Sequence, residues 1–398
     1  MNLSRRDFLA TSAALGALTA LPRAQQNAAS SAAGETPRVL ILGGTGFIGP
    51  HIVDSCKAKG WEVTLFNRGK TRPKLFDGDD AVEILHGDRD GDLKSLEEAV
   101  KAGRRWQAVV DDCGYVPRVV RATAELLAPA VDQYIFVSSI SCYAGTADEG
   151  QDESAPLAAM PDGVVADDIA GSDRDKVLQY YGPLKAACEK AAEAACPGRT
   201  TIVRPGLIVG PGDSSDRYTY WPVRLARGGE VLAPGDGSDP LQYIDARDLA
   251  DFIAAVIAGK SFGPFNVIGP AQRLTTKELL AACDTAAAAE VKDRPKTSFT
   301  WVTPEFLEAQ GISAWQDLPV WVPHSGEYAG MHTMKNERGL AQGLKFRDPV
   351  TTARDTLVYW NSLPEDRRAQ PRAGLSAERE AAALTAWHAQ EAGEKKPG

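Results

Sequence analysis

The sequence predicts an α/β protein, a doubly wound parallel sheet with a smaller mixed C-terminal region. Three observations predict it. Short runs of Val, Ile and Leu alternate with segments of helical periodicity from residue 38 to residue 268, the pattern of strands covered by helices on both faces. Gly43, Gly46 and Gly49 follow the first apolar run directly at three-residue spacing. The 398 residues show no internal repeat and are enough for one large domain or two smaller ones with an ample core.

The first 36 residues stand outside that pattern. Ser4-Arg5-Arg6-Asp7-Phe8-Leu9 precedes a mildly apolar run, Ala10 to Leu21, and then Pro22-Arg23-Ala24. Paired arginines, a weakly hydrophobic stretch and a small-residue exit make 1–24 an export signal of the twin-arginine type. Residues 25–36 read as a flexible linker. The expected destination is the periplasm or another extracytoplasmic space. Loss of 1–24 removes three arginines and one aspartate and moves the formal charge from −9 to −11. That acidity argues against nucleic acid or an anionic membrane surface as a partner. No stretch of the sequence has the length of a spanning helix.

The first strand, Val39 to Leu42, leads through the glycine turn into a helix running from Phe47 to Lys59, which Gly60 stops. Strand, turn and helix in this order suit a dinucleotide diphosphate. The first glycine permits the tight turn, the second lets the backbone approach phosphate, and the third packs the helix on the strand. The turn residues Gly43, Thr45, Gly46, Phe47, Ile48 and Gly49 are therefore the expected cradle, with the helix amides facing the anion. A second strand, Glu62 to Asn67, ends in Asn67-Arg68-Gly69-Lys70 where a ribose-binding carboxylate is expected. Arg68 suits a 2′-phosphate, so NADP is slightly favoured over NAD.

The third strand, Val82 to Leu85, delivers Asp88, either an acceptor for the adenine amino group or a turn residue. A helix over 92–101, a strand over 108–111 and a helix over 118–127 follow. The strand at 108–111 leads into Asp112-Cys113-Gly114-Tyr115. The fifth strand, Gln133 to Val137, delivers Ser138, Ser139, Ser141 and Tyr143. In such sheets ligands lie beyond the carboxyl ends of the strands, so these residues converge on one crevice. The acidic stretch 147–175 reads as a long surface loop, either lid or insertion. A helix starting close to Tyr181 then places Tyr181 and Lys185 four residues apart on one face.

A sixth strand, Thr201 to Arg204, ends in Pro205-Gly206. The cations and aromatics from Arg217 to Arg227 suit equally a polar-ligand pocket and a helix with its aromatic side inward. A helix over 249–257 and a strand over 265–268 come next. Residues 213–365 are the expected substrate region, interleaved with a nucleotide-binding domain at 37–212, and 366–398 form a charged tail with one bracing helix, Ser376 to Ala392. Among the six cysteines, Cys188 and Cys196 share a helix and stand about 12 Å apart along it, too far to bridge. Cys113 and Cys142 are the pair to test, and buried free thiols are the expectation. The five histidines have no ligand spacing, so no metal is expected.

Tyrosine with an ordinary pKa of about 10 is a weak base, and an ammonium beside it favours the phenolate. With a serine to hold the substrate oxygen and a nicotinamide above, Tyr181 and Lys185 make a hydride-transfer site. At these residues the chain resembles the extended short-chain dehydrogenase/reductases of the NAD-dependent epimerase/dehydratase family, over 38–270. The likeness rests on Gly43-Gly44-Thr45-Gly46-Phe47-Ile48-Gly49, Phe136-Val137-Ser138-Ser139, Tyr181-Gly182-Pro183-Leu184-Lys185, Arg204-Pro205-Gly206 and Ile244-Asp245-Ala246-Arg247-Asp248. It implies a Rossmann domain binding NAD(P), with Ser139, Tyr181 and Lys185 catalytic, Asp88 by adenine, Pro205 by the nicotinamide and Arg217 in the sugar-side pocket with Ser141 and Tyr143. Asn67-Arg68 departs from the family's ribose carboxylate, and the chain beyond Phe265 matches only loosely.

Export leaves no nicotinamide pool to reload a dissociating cofactor. The leading expectation is thus a sugar epimerase or dehydratase with tightly held, internally recycled NAD(P), acting on a small sugar-like substrate. The alternatives are a two-substrate sugar oxidoreductase with non-dissociating NADP and a non-catalytic binding protein on the same fold. Apart from the export machinery, a homodimer is the assembly to test.

Overall fold

The computed structural model describes residues 36–394. The signal at 1–24 and the linker up to residue 35 lie outside the described residues. The N-terminal half runs β1 (Arg38–Leu42), α1 (Gly49–Ala58), β2 (Glu62–Asn67), β3 (Val82–His86), α2 (Lys94–Lys101), β4 (Trp106–Asp111), α3 (Pro117–Leu127), β5 (Val131–Val137), α4 (Arg174–Gln179), α5 (Tyr181–Ala195) and β6 (Thr200–Pro205). The C-terminal half adds β7 (Ile208–Val209), α6 (Tyr220–Ala226), β8 (Glu230–Pro234), β9 (Pro240–Asp245), α7 (Ala246–Gly259), β10 (Gly263–Val267), β11 (Gly269–Thr275) and α8 (Thr276–Glu290). It continues with β12 (Ser298–Val302), α9 (Pro304–Ala309), α10 (Glu337–Ala341), α11 (Pro349–Ser362), α12 (Glu365–Arg368) and α13 (Ala377–Glu394).

Seven strands form one parallel sheet in the order β10-β6-β5-β4-β1-β2-β3. Strand order reverses between β1 and β4, which opens the crevice at their carboxyl ends. The strands are apolar on both faces because both are covered. Val39 and Ile41 of β1 join Ile52 and Val53 of α1 and Phe252 and Ile253 of α7, while Leu40 and Leu42 join Val120 and Ala124 of α3 and Ala191 and Ala192 of α5.

The smaller region holds two further sheets, β11-β9-β7 and β12-β8. Its core gathers Trp221 and Leu225 of α6, Val231 and Leu232 of β8, Leu279 and Leu280 of α8, Leu357 of α11 and Leu384 of α13. The aromatics after Asp213 split between the two sequence readings. Tyr218 and Trp221 are fully buried, whereas Arg217 keeps partial exposure.

The segment 365–394 is more than a brace on the surface. Glu380 of α13 is buried against Arg224 of α6, with Nε to Oε2 at 2.5 Å and both side chains about 5% exposed. Its other oxygen accepts the Leu232 N–H at 3.2 Å. Arg367 and the Arg372 N–H clamp Asp216 at 2.5 and 2.8 Å. The stretch 147–175 is likewise pinned rather than loose. Gly330 and Lys335 donate backbone N–H groups to Thr146 and Gln151, and the buried Glu153 accepts the Asn266 N–H at 2.8 Å.

Candidate active site

The glycine turn is built as the spacing predicts. Gly43 and Gly44 have φ of 113° and 84°, a region that side-chain-bearing residues avoid. A Cβ on Gly49 would stand 2.4 Å from the Gly44 carbonyl carbon, so the third glycine lets α1 close on the turn. A Cβ on Gly46 would meet nothing within 4 Å. The second glycine thus faces open space, and its backbone can be approached by a ligand. No side chain caps α1, so the first-turn N–H groups are left for an outside acceptor. Arg72 folds back from the loop after β2 and donates Nε to the Thr45 carbonyl at 2.9 Å and Nη2 to that of Gly46. These features fit a dinucleotide diphosphate seated on the turn.

Around the turn, the other expected cofactor residues fall as follows. Asn67 Oδ1 accepts the Gly69 N–H at 2.8 Å, which fixes the bend and leaves Arg68 exposed. Asp88 Oδ1 accepts the Asp90 N–H at 3.1 Å, the turn-residue behaviour that the sequence reading allowed. Pro205 ends β6 in register with Val267 of β10.

The α5 helix begins at Tyr181, with Pro183 in its first turn where a missing N–H costs nothing. A Cβ on Gly182 would stand 2.1 Å from the Ser141 carbonyl oxygen. Only glycine lets the helix come this close to the serine loop. Lys185 is buried, with Nζ donating to the carbonyls of Gly114 at 2.9 Å and Val137 at 2.8 Å. An ammonium has three N–H groups, so one is left over. Nζ lies 5.9 Å from the Tyr181 ring centre and 4.8 Å from that of Tyr115. The two tyrosine rings are 6.4 Å apart.

Ser139 Oγ accepts the Ser141 N–H at 3.1 Å, which keeps its own proton available to donate. Ser138 is buried beside the Cys142 thiol. Ser141 is exposed, and Tyr143 is not free for a substrate. Its hydroxyl donates to Asn266 Oδ1 at 2.6 Å and accepts from Arg204 at 3.1 Å, and Arg204 is itself held by Glu189 inside α5. Arg217 lies over the Trp315 ring at 5.4 Å and donates Nε to Ser215 at 3.2 Å. Burial lowers its pKa, and the charges it feels include those of Asp213 and Tyr181. Among the described residues no ion pair engages it.

Sequence reasoning missed the polar cluster under the crevice. Asp111, fully buried at the end of β4, takes both arms of Arg89 at 2.5 and 2.7 Å and the Tyr134 hydroxyl at 2.9 Å. Asp112 turns the other way, toward Gly43. Burial first and the Asp111 charge second push its carboxyl up to about 7, against the Gly44 N–H and the cations Arg89 and Lys185. The legible signal was two acids closing an apolar strand beside the crevice. Cys113 Sγ donates to the Leu42 carbonyl at 3.1 Å, and all six cysteines are free thiols.

Residues 39–111 and 99–269 match the NAD dependent epimerase/dehydratase family. The chain belongs to that family. Residues 2–22 match the twin-arginine translocation pathway signal sequence, which directs export to the periplasm or extracytoplasmic space. Among the described residues, no helix is long and apolar enough to cross a membrane. The Bos taurus epimerase family protein SDR39U1 is 29% identical over 63% of this chain and 80% of its own. The ceramide reductase of Caulobacter vibrioides is 29% identical over 44% of this chain and 48% of its own. The Bordetella bronchiseptica enzyme WbmG, solved with NAD and UDP, shares the fold at a TM-score of 0.59 and 15% identity, over 86% of this chain and 99% of that one.

Proposed function

We propose that the chain is an exported, NAD(P)-dependent epimerase or dehydratase for a sugar-like alcohol, with Ser139, Tyr181 and Lys185 as its catalytic residues. The observation that carries this reading is the convergence of the Tyr181 face of α5, the Lys185 ammonium and the open glycine turn on the same carboxyl ends of β1, β4 and β5. The turn from Gly43 to Gly49 would hold the diphosphate, with Pro205 beside the nicotinamide and Asp88 beside adenine. Arg68, exposed past Asn67, would take a 2′-phosphate, which favours NADP. When bound, the cofactor supplies a hydride acceptor that the same substrate reloads within one catalytic cycle.

Ser139 donates its free proton to the substrate oxygen and fixes its place. Tyr181 takes the alcohol proton and later returns one. Lys185, pinned by two carbonyls, keeps a positive charge 5.9 Å from the Tyr181 ring centre and would steady the negative charge that proton loss creates. Arg217, without an ion pair among the described residues and within electrostatic reach of Tyr181, suits an anionic or polyhydroxyl part of the substrate, and the exposed Ser141 would contribute a hydroxyl. Redox neutrality follows from location, because an exported enzyme meets no pool of free nicotinamide dinucleotide. A dinucleotide recovered by mass spectrometry from gel-filtered native protein supports the reading, and a cofactor lost to simple dialysis overturns its recycling element.

A further inference from the structure

Asp112 places a carboxyl against the glycine turn, on the Gly44 amide. Its Oδ1 lies 2.1 Å from where a Cβ of Gly43 would stand, so Gly43 is required here as much by this side chain as by its φ. The Gly44 N–H points at the same carboxyl. The residue is half-buried, and Gly46, three residues on from Gly43, faces open space. A dinucleotide diphosphate brings two negative charges to this turn. A carboxylate and a diphosphate at one turn repel, and a proton is what makes Asp112 neutral.

The charged and titratable groups facing Asp112 are few. Asp111 adjoins it on β4, and Cys113 and Tyr115 follow it in the same loop. Arg89 reaches it from the loop after β3 and Lys185 from α5, while the β1–α1 turn contributes only amides. Asp111 is saturated by Arg89 and Tyr134. Burial pushes the Cys113 thiol up to about 12 and raises the Tyr115 phenol as well. Neither titrates near neutrality, which leaves Asp112 as the group that can respond there.

We infer that Asp112 is a cofactor-site residue that couples a proton to dinucleotide binding: the bound state carries Asp112 as the neutral acid, and the free state ionises it as pH rises. This rests on the reading that the glycine turn holds a nicotinamide dinucleotide. It makes affinity greatest in mildly acidic medium and weaker above neutrality, by up to about tenfold in Kd per pH unit.

The test is NADH binding to the purified full chain, by fluorescence titration and calorimetry, from pH 6 to pH 8.5. NADH is chosen because the 2′-phosphate of NADPH titrates near pH 6 by itself; NADPH is run in parallel, comparing wild type with Asp112→Asn. Calorimetry in two buffers of different ionisation heat should show uptake of up to one proton by the wild type, a readout that needs no variant. Asp112→Asn should bind at pH 8 several-fold to tenfold more tightly than the wild type and show a flat profile. A wild-type Kd independent of pH, without proton uptake, overturns the inference while leaving the dinucleotide site intact. So does an Asp112→Asn that binds more weakly than wild type at every pH, which would make the carboxylate an acceptor for the cofactor. If neither dinucleotide binds at any pH, the cofactor reading fails and takes this inference with it.

Discussion

Both halves of the molecule bury charge, and they do so for different ends. In the C-terminal half, Arg224 and Glu380 meet at 2.5 Å with nearly nothing exposed, and Arg227 adds a second cation at 3.6 Å. Arg247 is shared in the same way by Asp245 and Asp355. Each charge in these two clusters has its opposite. In the nucleotide half, Arg89 and Asp111 are matched too, but Asp112 is left over, its carboxyl pushed up to about 7 and lying against the glycine turn. Paired buried charge fixes where elements sit. A buried acid without a counter-charge does no such fixing, and Asp112 is the group on which the proposed coupling to dinucleotide binding rests.

The largest expected effect breaks or keeps the functional side of this comparison. Tyr181→Phe should lower turnover by about 10² to 10⁴-fold, the usual range for a lost acid–base group, with dinucleotide affinity held within twofold by titration. Undiminished turnover would leave α5 with no more than a scaffold role. On the architectural side, Glu380→Ala strands Arg224 without its counter-charge and should cost about 3–5 kcal/mol. Thermal melting should then fall by roughly 5–10 °C, while cofactor affinity per folded molecule stays unchanged. An effect on affinity instead would erase the division between the two halves.

Smaller effects sharpen it. Arg68→Ala should cost NADPH affinity about tenfold, the worth of one charge-assisted bond to phosphate, and leave NADH alone; equal losses for both would remove the case for NADP. The smallest concerns stability and pH. Asp112 binds its proton more tightly in the folded chain than unfolded, so the stability it contributes is complete below about pH 4 and is lost as pH rises through 7. Without cofactor, Asp112→Asn should therefore match wild type near pH 4 and exceed it in stability at pH 8, read from denaturant midpoints.

The parts legible in the sequence were those written in local pattern. Strands β1 to β6 sit within two residues of their expected bounds, because continuous apolar runs between glycine and proline signals leave little freedom. The spacing of Gly43, Gly46 and Gly49 reads as a turn, and the structure builds one: Gly43 has a positive φ, Gly49 lets the helix close on Gly44, and Gly46 faces open space. What escaped depends on partners far along the chain. Glu380 looks like a solvated residue of an alanine-rich helix until Arg224, 156 residues away, is placed beside it. The short strand β7 and the six-residue α4 have too few residues to show a period. Tyr143 follows a serine loop aimed at the crevice, yet Asn266, 123 residues on, claims its hydroxyl. Lys185 could be paired with Tyr181 by spacing alone, but its two carbonyl acceptors come from separate loops.

The Arg224–Glu380 contact also bears on timing. At a ribosomal pace of 5–20 residues per second, the arginine waits roughly 8–30 s for a carboxylate made 156 residues later. During that interval the C-terminal lobe lacks the helix that seals it, so its maturation belongs to the period after synthesis. A translocation route that accepts finished, folded cargo fits such a chain, whereas threading it unfolded would mean repeating that wait on the far side of the membrane.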